Sequence, residues 1–167
     1  MTVIVRDYRA MDIEALTALY NHYILETTIT FDLQPYTAQQ RQEMWMSHYA
    51  SSGRYRLLVA EREGQLVGYA TSSKLRVKAA YDTSVETSVY LSSAAQGYGI
   101  GTQLYSALFE ALAAEDVHRA YACITLPNEA SMAIHQKFGF EQVGLFREVG
   151  RKFDRYWDVA WLERAMP

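Results

Sequence analysis

The 167-residue chain predicts an α/β fold of the α+β kind: a mixed, mostly antiparallel central sheet with helices on both faces. Three observations carry this. From Thr83 to Leu126 the order is strand, glycine turn, helix, strand, a right-handed crossover that makes its two strands parallel. YRLLVAE and LVGYATSSKLR flank a turn at Gly64, as a hairpin does, and two more strand-like runs close the chain. Apolar residues recur at helical spacing in separate segments between these strands.

The elements follow in order. TVIVRDY alternates apolar and polar residues, as a first strand does. From Met11, Ile13, Leu16, Leu19, Tyr20, Tyr23 and Ile24 mark one helical face that ends near Glu26. TTITF is β-branched and reads as a short extended piece. Thr37 and Gln40 have capping-box spacing and open a second helix carrying Met44, Trp45 and Tyr49, closed by Ser51, Ser52 and Gly53. After the hairpin, TSVETSVYL is a strand, followed by the glycine turn and a helix to about Glu115. YACITL is the next strand. Pro127 and Asn128 turn into a short helix closed by Gly139. EQVGLFREVGRKF and YWDVAWLERA end the chain as strands. Few prolines and no linker-like stretch divide it, so a single domain over 1–167 is expected.

Composition narrows the function. A formal net charge of −3 provides no basic footprint for nucleic acid and no polybasic membrane signal. No apolar run approaches a membrane span, and the N-terminus lacks a signal-peptide layout. One cysteine, Cys123, allows no internal disulfide, and a cytoplasmic setting is expected. Cys123 lies in an apolar strand and reads as core. The histidines and carboxylates lack metal-ligand spacing, so no metal is expected. His22, His48 and His118 have no chemical context.

QGYGIGTQLYSALFEAL concentrates the chemistry. Gly97, Gly99 and Gly101 alternate between a strand and a helix. A helix N-terminus presents unpaired N–H groups and partial positive charge, and bare backbone lets a ligand approach them. This suits a pyrophosphate. A P-loop would need Gly-Lys-Ser/Thr where Gly101-Thr102-Gln103 stands, and the dinucleotide fingerprint would need glycine in place of Thr102. Gln96-Gly97-Tyr98-Gly99-Ile100-Gly101 instead resembles the acyl-CoA motif of the GNAT superfamily of N-acetyltransferases. A tight strand–helix turn is the plain structural alternative.

The chain around the turn is similar to the phosphinothricin and methionine sulfoximine acetyltransferase group of that superfamily. The matching residues are Arg76, Ala80-Tyr81-Asp82, Val85-Glu86, Ser88-Val89-Tyr90, Leu126-Pro127-Asn128, Ser131, His135, Gly139-Phe140, Val149-Gly150 and Lys152. Tyr20-Asn21 and Thr30-Phe31 match in the N-terminal half. The chain departs from the group at Asp154 and Tyr156, which stand for a glycine and a tryptophan near the acceptor region.

The resemblance implies a GNAT-like acyl-CoA N-acyltransferase fold. It also implies acetyl transfer from acetyl-CoA to the α-amine of a small amino-acid-like acceptor in a ternary complex, by a homodimer. Glu86 is its base by motif position; a solvated strand carboxylate is the alternative. A free glutamate is a poor base near neutrality, and burial or a relaying water would improve it. His135 is its acid or an orienting residue. Val89, Tyr90 and Leu91 line the cofactor arm and supply an N–H to the thioester carbonyl. Gly97, Tyr98, Gly99, Ile100, Gly101 and Thr102 hold the pyrophosphate. Asn128 touches the arm or merely caps a helix. Phe31, Arg76, Val77, Lys78, Tyr81, Thr87, Ser88 and Lys152 form the acceptor region. Arg76, with its planar fork, is the natural clamp for a carboxylate or phosphinate. Rival readings are acetylation of another amine, such as a protein N-terminus or an amine antibiotic, a non-catalytic acyl-CoA sensor, and a nucleotide-phosphate binder.

Overall fold

A computed structural model describes residues 2–167. Its elements are β1 (Val3–Asp7), α1 (Ile13–Glu26), α2 (Ala38–Met44), β2 (Leu57–Arg62), β3 (Gln65–Lys74), β4 (Ser84–Leu91), α3 (Ile100–Ala113), β5 (Arg119–Thr125), α4 (Glu129–Lys137), β6 (Glu141–Lys152) and β7 (Arg155–Ala165). One seven-stranded sheet has the order β1-β2-β3-β4-β5-β7-β6. Among the described residues only β4 and β5 pair in parallel; the other neighbours are antiparallel. Among the described residues, no helix is long and apolar enough to cross a membrane.

Strand alternation splits the interior into two cores. Leu58, Ala60, Ala70 and Val85 face α3, whose Ile100, Leu104, Leu108 and Leu112 are fully buried. Each such leucine contributes roughly 1.5–3 kcal/mol of burial. Leu57, Val59 and Tyr69 face the opposite side and meet Leu16 of α1 together with Met46 and Tyr49.

Two expected elements differ. TTITF forms no strand. Its polar atoms are taken locally and by one distant lysine: Thr27 Oγ1 donates to the Tyr23 carbonyl (2.7 Å), Thr30 Oγ1 shares a 2.8 Å hydrogen bond with the Tyr20 hydroxyl, and Lys152 Nζ donates to the Thr30 carbonyl (2.8 Å). The second helix stops at Met44, and Met46–His48 forms a 3-10 turn. That change of winding accompanies burial of Met46 and Tyr49 in the second core. Its predicted start holds: Thr37 Oγ1 accepts from the Gln40 N–H, and Gln40 Oε1 accepts from the Thr37 N–H.

The parallel pair creates the site. β4 and β5 are in register only over Ser84–Glu86 against Arg119–Tyr121. Beyond Glu86 the strands part, while β4 stays paired to β3 and β5 to β7. A wedge therefore opens in the middle of an otherwise continuous sheet.

Candidate active site

On one side of the wedge lies the glycine turn. Gly97 and Gly99 have φ of +82° and +72°, which an L side chain rarely adopts. Gly99 is the N-cap of the 14-residue α3. A Cβ on Gly101 would come within 3.1 Å of Ile134, so bare backbone also sets how closely α3 meets α4. The cavity beside the turn, about 300 Å³, is lined by Leu91, Gly97, Gly99–Thr102 and residues of α4 including Lys137. Lys137 Nζ reaches Thr102 Oγ1 at 3.5 Å, bringing positive charge to the helix N-terminus. Backbone donors, helix dipole and lysine together fit a pyrophosphate. Tyr98 is 70% exposed and stacks under Arg62 on the outer side, so it offers backbone only. The Ile100 side chain is core.

On the other side lies a cavity of about 530 Å³, walled by β3, β4, β5, β7, the 29–31 loop, α2 and β6. Glu86, Ser88 and Tyr90 point into it from β4. Val85, Val89 and Leu91 pack on the α3 side. Thr87 is buried outside the cavity, its hydroxyl donating to the Tyr121 carbonyl (3.2 Å). Its expected acceptor role is corrected by strand parity: it faces away from Glu86 and Ser88.

Burial pushes the Glu86 carboxyl above the ordinary range; nearby Arg76 and a hydrogen bond with Cys123 oppose the shift without cancelling it. Cys123 lines the same cavity rather than the deep core. Burial, then the Glu86 charge, pushes its thiol up to about 12, which makes it a poor nucleophile.

His135 is only 3% exposed and reaches neither cavity. Its Nδ1 lies 2.7 Å from the Ser131 carbonyl and its Nε2 2.9 Å from the Tyr105 hydroxyl. The neutral tautomer with Nδ1–H satisfies both contacts, and burial lowers the ring's pKa. Both nitrogens are therefore engaged inside the α3–α4 core. Asn128 caps α4, its Oδ1 accepting from the Ser131 N–H at 3.1 Å.

The acceptor-region residues divide. Phe31 and Ser88 line the cavity. Arg76 is exposed at the rim, its guanidinium 5.4 Å from the ring centre of Trp161, a lining residue. Val77, Lys78 and Tyr81 are exposed on a loop that contributes no lining residue. Lys152 is buried and spent on the Thr30 carbonyl, so it shapes the 29–31 loop instead of lining the cavity. Gly150 has a clear reason: a Cβ there would collide with the Phe31 ring. Asp158 accepts from the Glu148 N–H (2.7 Å) within the β6 irregularity between Phe146 and Gly150, from which Phe146 and Val149 line the cavity. Asp154 occupies the β6–β7 turn at φ +56°, a backbone state that aspartate tolerates in place of glycine. Asp154 and Tyr156 line no part of the acceptor cavity, so these departures from the group's pattern leave its wall unchanged.

Sequence reading missed Arg41, Tyr69 and Trp161 in the cavity wall and Tyr23 in the wedge. The Tyr23 hydroxyl donates to the Leu91 carbonyl (2.7 Å) and accepts from the Leu91 N–H (3.3 Å). The capping box and the Arg41–Trp45 spacing of four were the available signal for Arg41.

Known proteins agree with this geometry. The family described as "Acetyltransferase (GNAT) domain" matches residues 5–161. A phosphinothricin N-acetyltransferase of Streptomyces coelicolor is 58% identical over 93% of this chain and 91% of its own length. An L-methionine sulfoximine/L-methionine sulfone acetyltransferase of Pseudomonas aeruginosa is 32% identical over 98% and 94%. The crystal structure of a phosphinothricin acetyltransferase from Sinorhizobium meliloti in complex with AcCoA superposes with a TM-score of 0.92, at 32% identity over 99% and 89%. The sequence matches and the superposition agree, and the chain belongs to the GNAT acetyltransferase family.

Proposed function

We propose that this protein transfers the acetyl group of acetyl-CoA to the α-amine of a small, amino-acid-like acceptor of the phosphinothricin or methionine sulfone type. The observation that carries the reading is Glu86. Its carboxyl is half-buried, raised in pKa, and projects into the acceptor cavity from the strand that borders the glycine turn. A thioester acyl donor is what acetyl-CoA supplies; the rest is the work of the chain.

Glu86 takes the proton that the incoming ammonium must lose before its lone pair can attack. Its raised pKa brings it nearer the working pH, where a base is most effective. Val89 supplies the N–H for the carbonyl oxygen. The Ser92 N–H bonds Val67 of β3, so alternation directs Tyr90 toward β3 and Val89 toward the wedge. The Leu91 N–H is already taken by Tyr23. A fixed backbone donor of this kind acts as an oxyanion hole. His135 acts as a positioning residue that ties α4 to α3 through Tyr105, since its saturated ring supports no acid role. A CoA thiol, with a pKa near the free thiol's value of about 8.5, leaves without a dedicated acid. Arg76 at the rim, beside Glu86, receives the acceptor's carboxylate. A homodimer follows the family habit, and the exposed Val143 and Leu145 of β6 offer a face for it; light scattering tests that point.

CoA release followed with a thiol reagent tests the reading over phosphinothricin, methionine sulfoximine, methionine sulfone, ordinary amino acids, a polyamine and an N-terminal peptide. Turnover confined to the first three supports it. Turnover of the peptide or polyamine instead would move the acceptor class.

A further inference from the structure

Three buried donor atoms that find no acceptor among the described residues belong to this one cavity: Arg41 Nε, Tyr69 Oη and Trp161 Nε1. Buried polar groups are normally satisfied, and each one left alone is costly. Trp161 stands with Arg76 at the rim. Arg41 and Tyr69 stand elsewhere, on α2 and β3.

Arg41 is only 7% exposed, and among the described residues it forms no ion pair. Its guanidinium is held by aromatic faces, 3.5 Å from the ring centre of Trp45 and 4.2 Å from that of Tyr20. The carboxylate of Asp32 is engaged by the Tyr20 hydroxyl at 2.5 Å. Tyr69 packs edge-on against the same Trp45, ring centres 5.7 Å apart. Its hydroxyl is buried, and the pocket wall is the surface it shares with Arg41. The sheet register separates this pair from the rim. Ser73 lies across from Glu86 and Tyr69 across from Tyr90, four positions further along both strands, about 13 Å at the usual rise per residue.

We infer that Arg41 and Tyr69 form a second anion subsite, across the acceptor cavity from Arg76, so that the enzyme selects acceptors with two acidic groups. A guanidinium fixed by aromatic stacking and an idle hydroxyl are the recognition chemistry of a carboxylate, phosphinate or phosphonate. One acidic group goes to Arg76 near the base; the other, carried on the acceptor's side chain, goes to Arg41. The subsite rests on the acetyl-transfer reading above and sharpens it. Phosphinothricin has a carboxylate on its amine-bearing carbon and a phosphinate two methylenes further along its side chain. Methionine sulfone has the carboxylate and a neutral sulfone.

The test compares kcat/KM for these two acceptors in the wild type, Arg41→Met and Tyr69→Phe, with melting temperature followed in parallel. Arg41→Met is expected to lower the ratio of phosphinothricin to methionine sulfone by about 30-fold through KM, as loss of a charge-assisted contact does. Tyr69→Phe, which keeps the ring, is expected to lower it by about 5-fold. Calorimetric titration of phosphinothricin into the CoA-bound protein is expected to weaken in step. A ratio unmoved in both variants overturns the subsite; if Arg41→Met fails to fold, Tyr69→Phe and its titration decide alone. Should the wild type acetylate neither compound, the acetyl-transfer reading to this acceptor class falls, and the titration still judges the subsite. Binding that depends on Arg41 keeps it, and equal binding or none removes it.

Discussion

The two faces of β4 carry the same kind of sequence and opposite duties. Glu86, Ser88 and Tyr90 point into the acceptor cavity, while Val85, Thr87, Val89 and Leu91 point toward α3 and α4. Each side also holds a titratable group perturbed by burial: half-buried Glu86 on one, and fully buried His135 among the helices that cover the other. The carboxyl lines a cavity, where Arg76 and a hydrogen bond with Cys123 offset only part of the effect of burial. The imidazole has both nitrogens occupied within 2.9 Å. Burial perturbs both groups, yet only the one with an open side can exchange a proton with a ligand. Hydrogen-bond saturation, more than burial, separates a working group from a structural one.

The largest effect that would break this contrast is on Glu86. Glu86→Gln is expected to cost ~10²–10⁴ in kcat and to erase the acidic limb of the pH–rate profile, which lies above the ordinary carboxylate range. The same change is expected to raise stability at neutral pH. A carboxyl whose pKa is raised by folding destabilises the fold above that pKa and not below its unfolded value, so the gain should vanish toward acid. Thermal melts at several pH values read this directly.

His135→Phe should act the other way. It leaves the buried Tyr105 hydroxyl without its partner, costing about 1–3 kcal/mol by denaturant titration, while kcat falls much less than in Glu86→Gln. A kcat loss equal to that of Glu86→Gln would restore the acid role. In the wild type, the lowered His135 pKa predicts stability lost as pH falls from about 6.5, the unfolded value, toward the lower folded one.

Gly99→Ala places a side chain at φ +72° and is expected to cost ~1–2 kcal/mol, raising KM for acetyl-CoA before that for the acceptor. The smallest effect belongs to Thr87→Val. Losing its bond to the Tyr121 carbonyl should cost about 1 kcal/mol and leave the acceptor KM alone, because the side chain faces the helices.

Much of this was legible beforehand. Helical spacing, hairpin turns and the Thr37–Gln40 box located nearly every element, because these are local patterns of burial and hydrogen bonding. The alternating glycines announced a helix N-terminus open to a ligand, whereas Glu86 stood out through its motif position in the resemblance to the acetyltransferase group. TTITF was misread because Lys152, 122 residues away, holds its backbone. The residues missed at the site were missed for a similar reason.

The sequence by itself determined the mixed sheet and the glycine turn, since each follows from periodicity or from a residue type whose backbone has few other uses, while Glu86 stood out only through the family resemblance. Only the tertiary structure decided which way each side chain faces and what it meets. It turned Thr87 and His135 inward, committed Lys152 to a loop carbonyl, and brought Arg41, Tyr69 and Trp161 to one cavity from α2, β3 and β7. A side chain's chemistry is written in its type. Its availability depends on whether distant residues satisfy it, and that is settled only when the chain has packed.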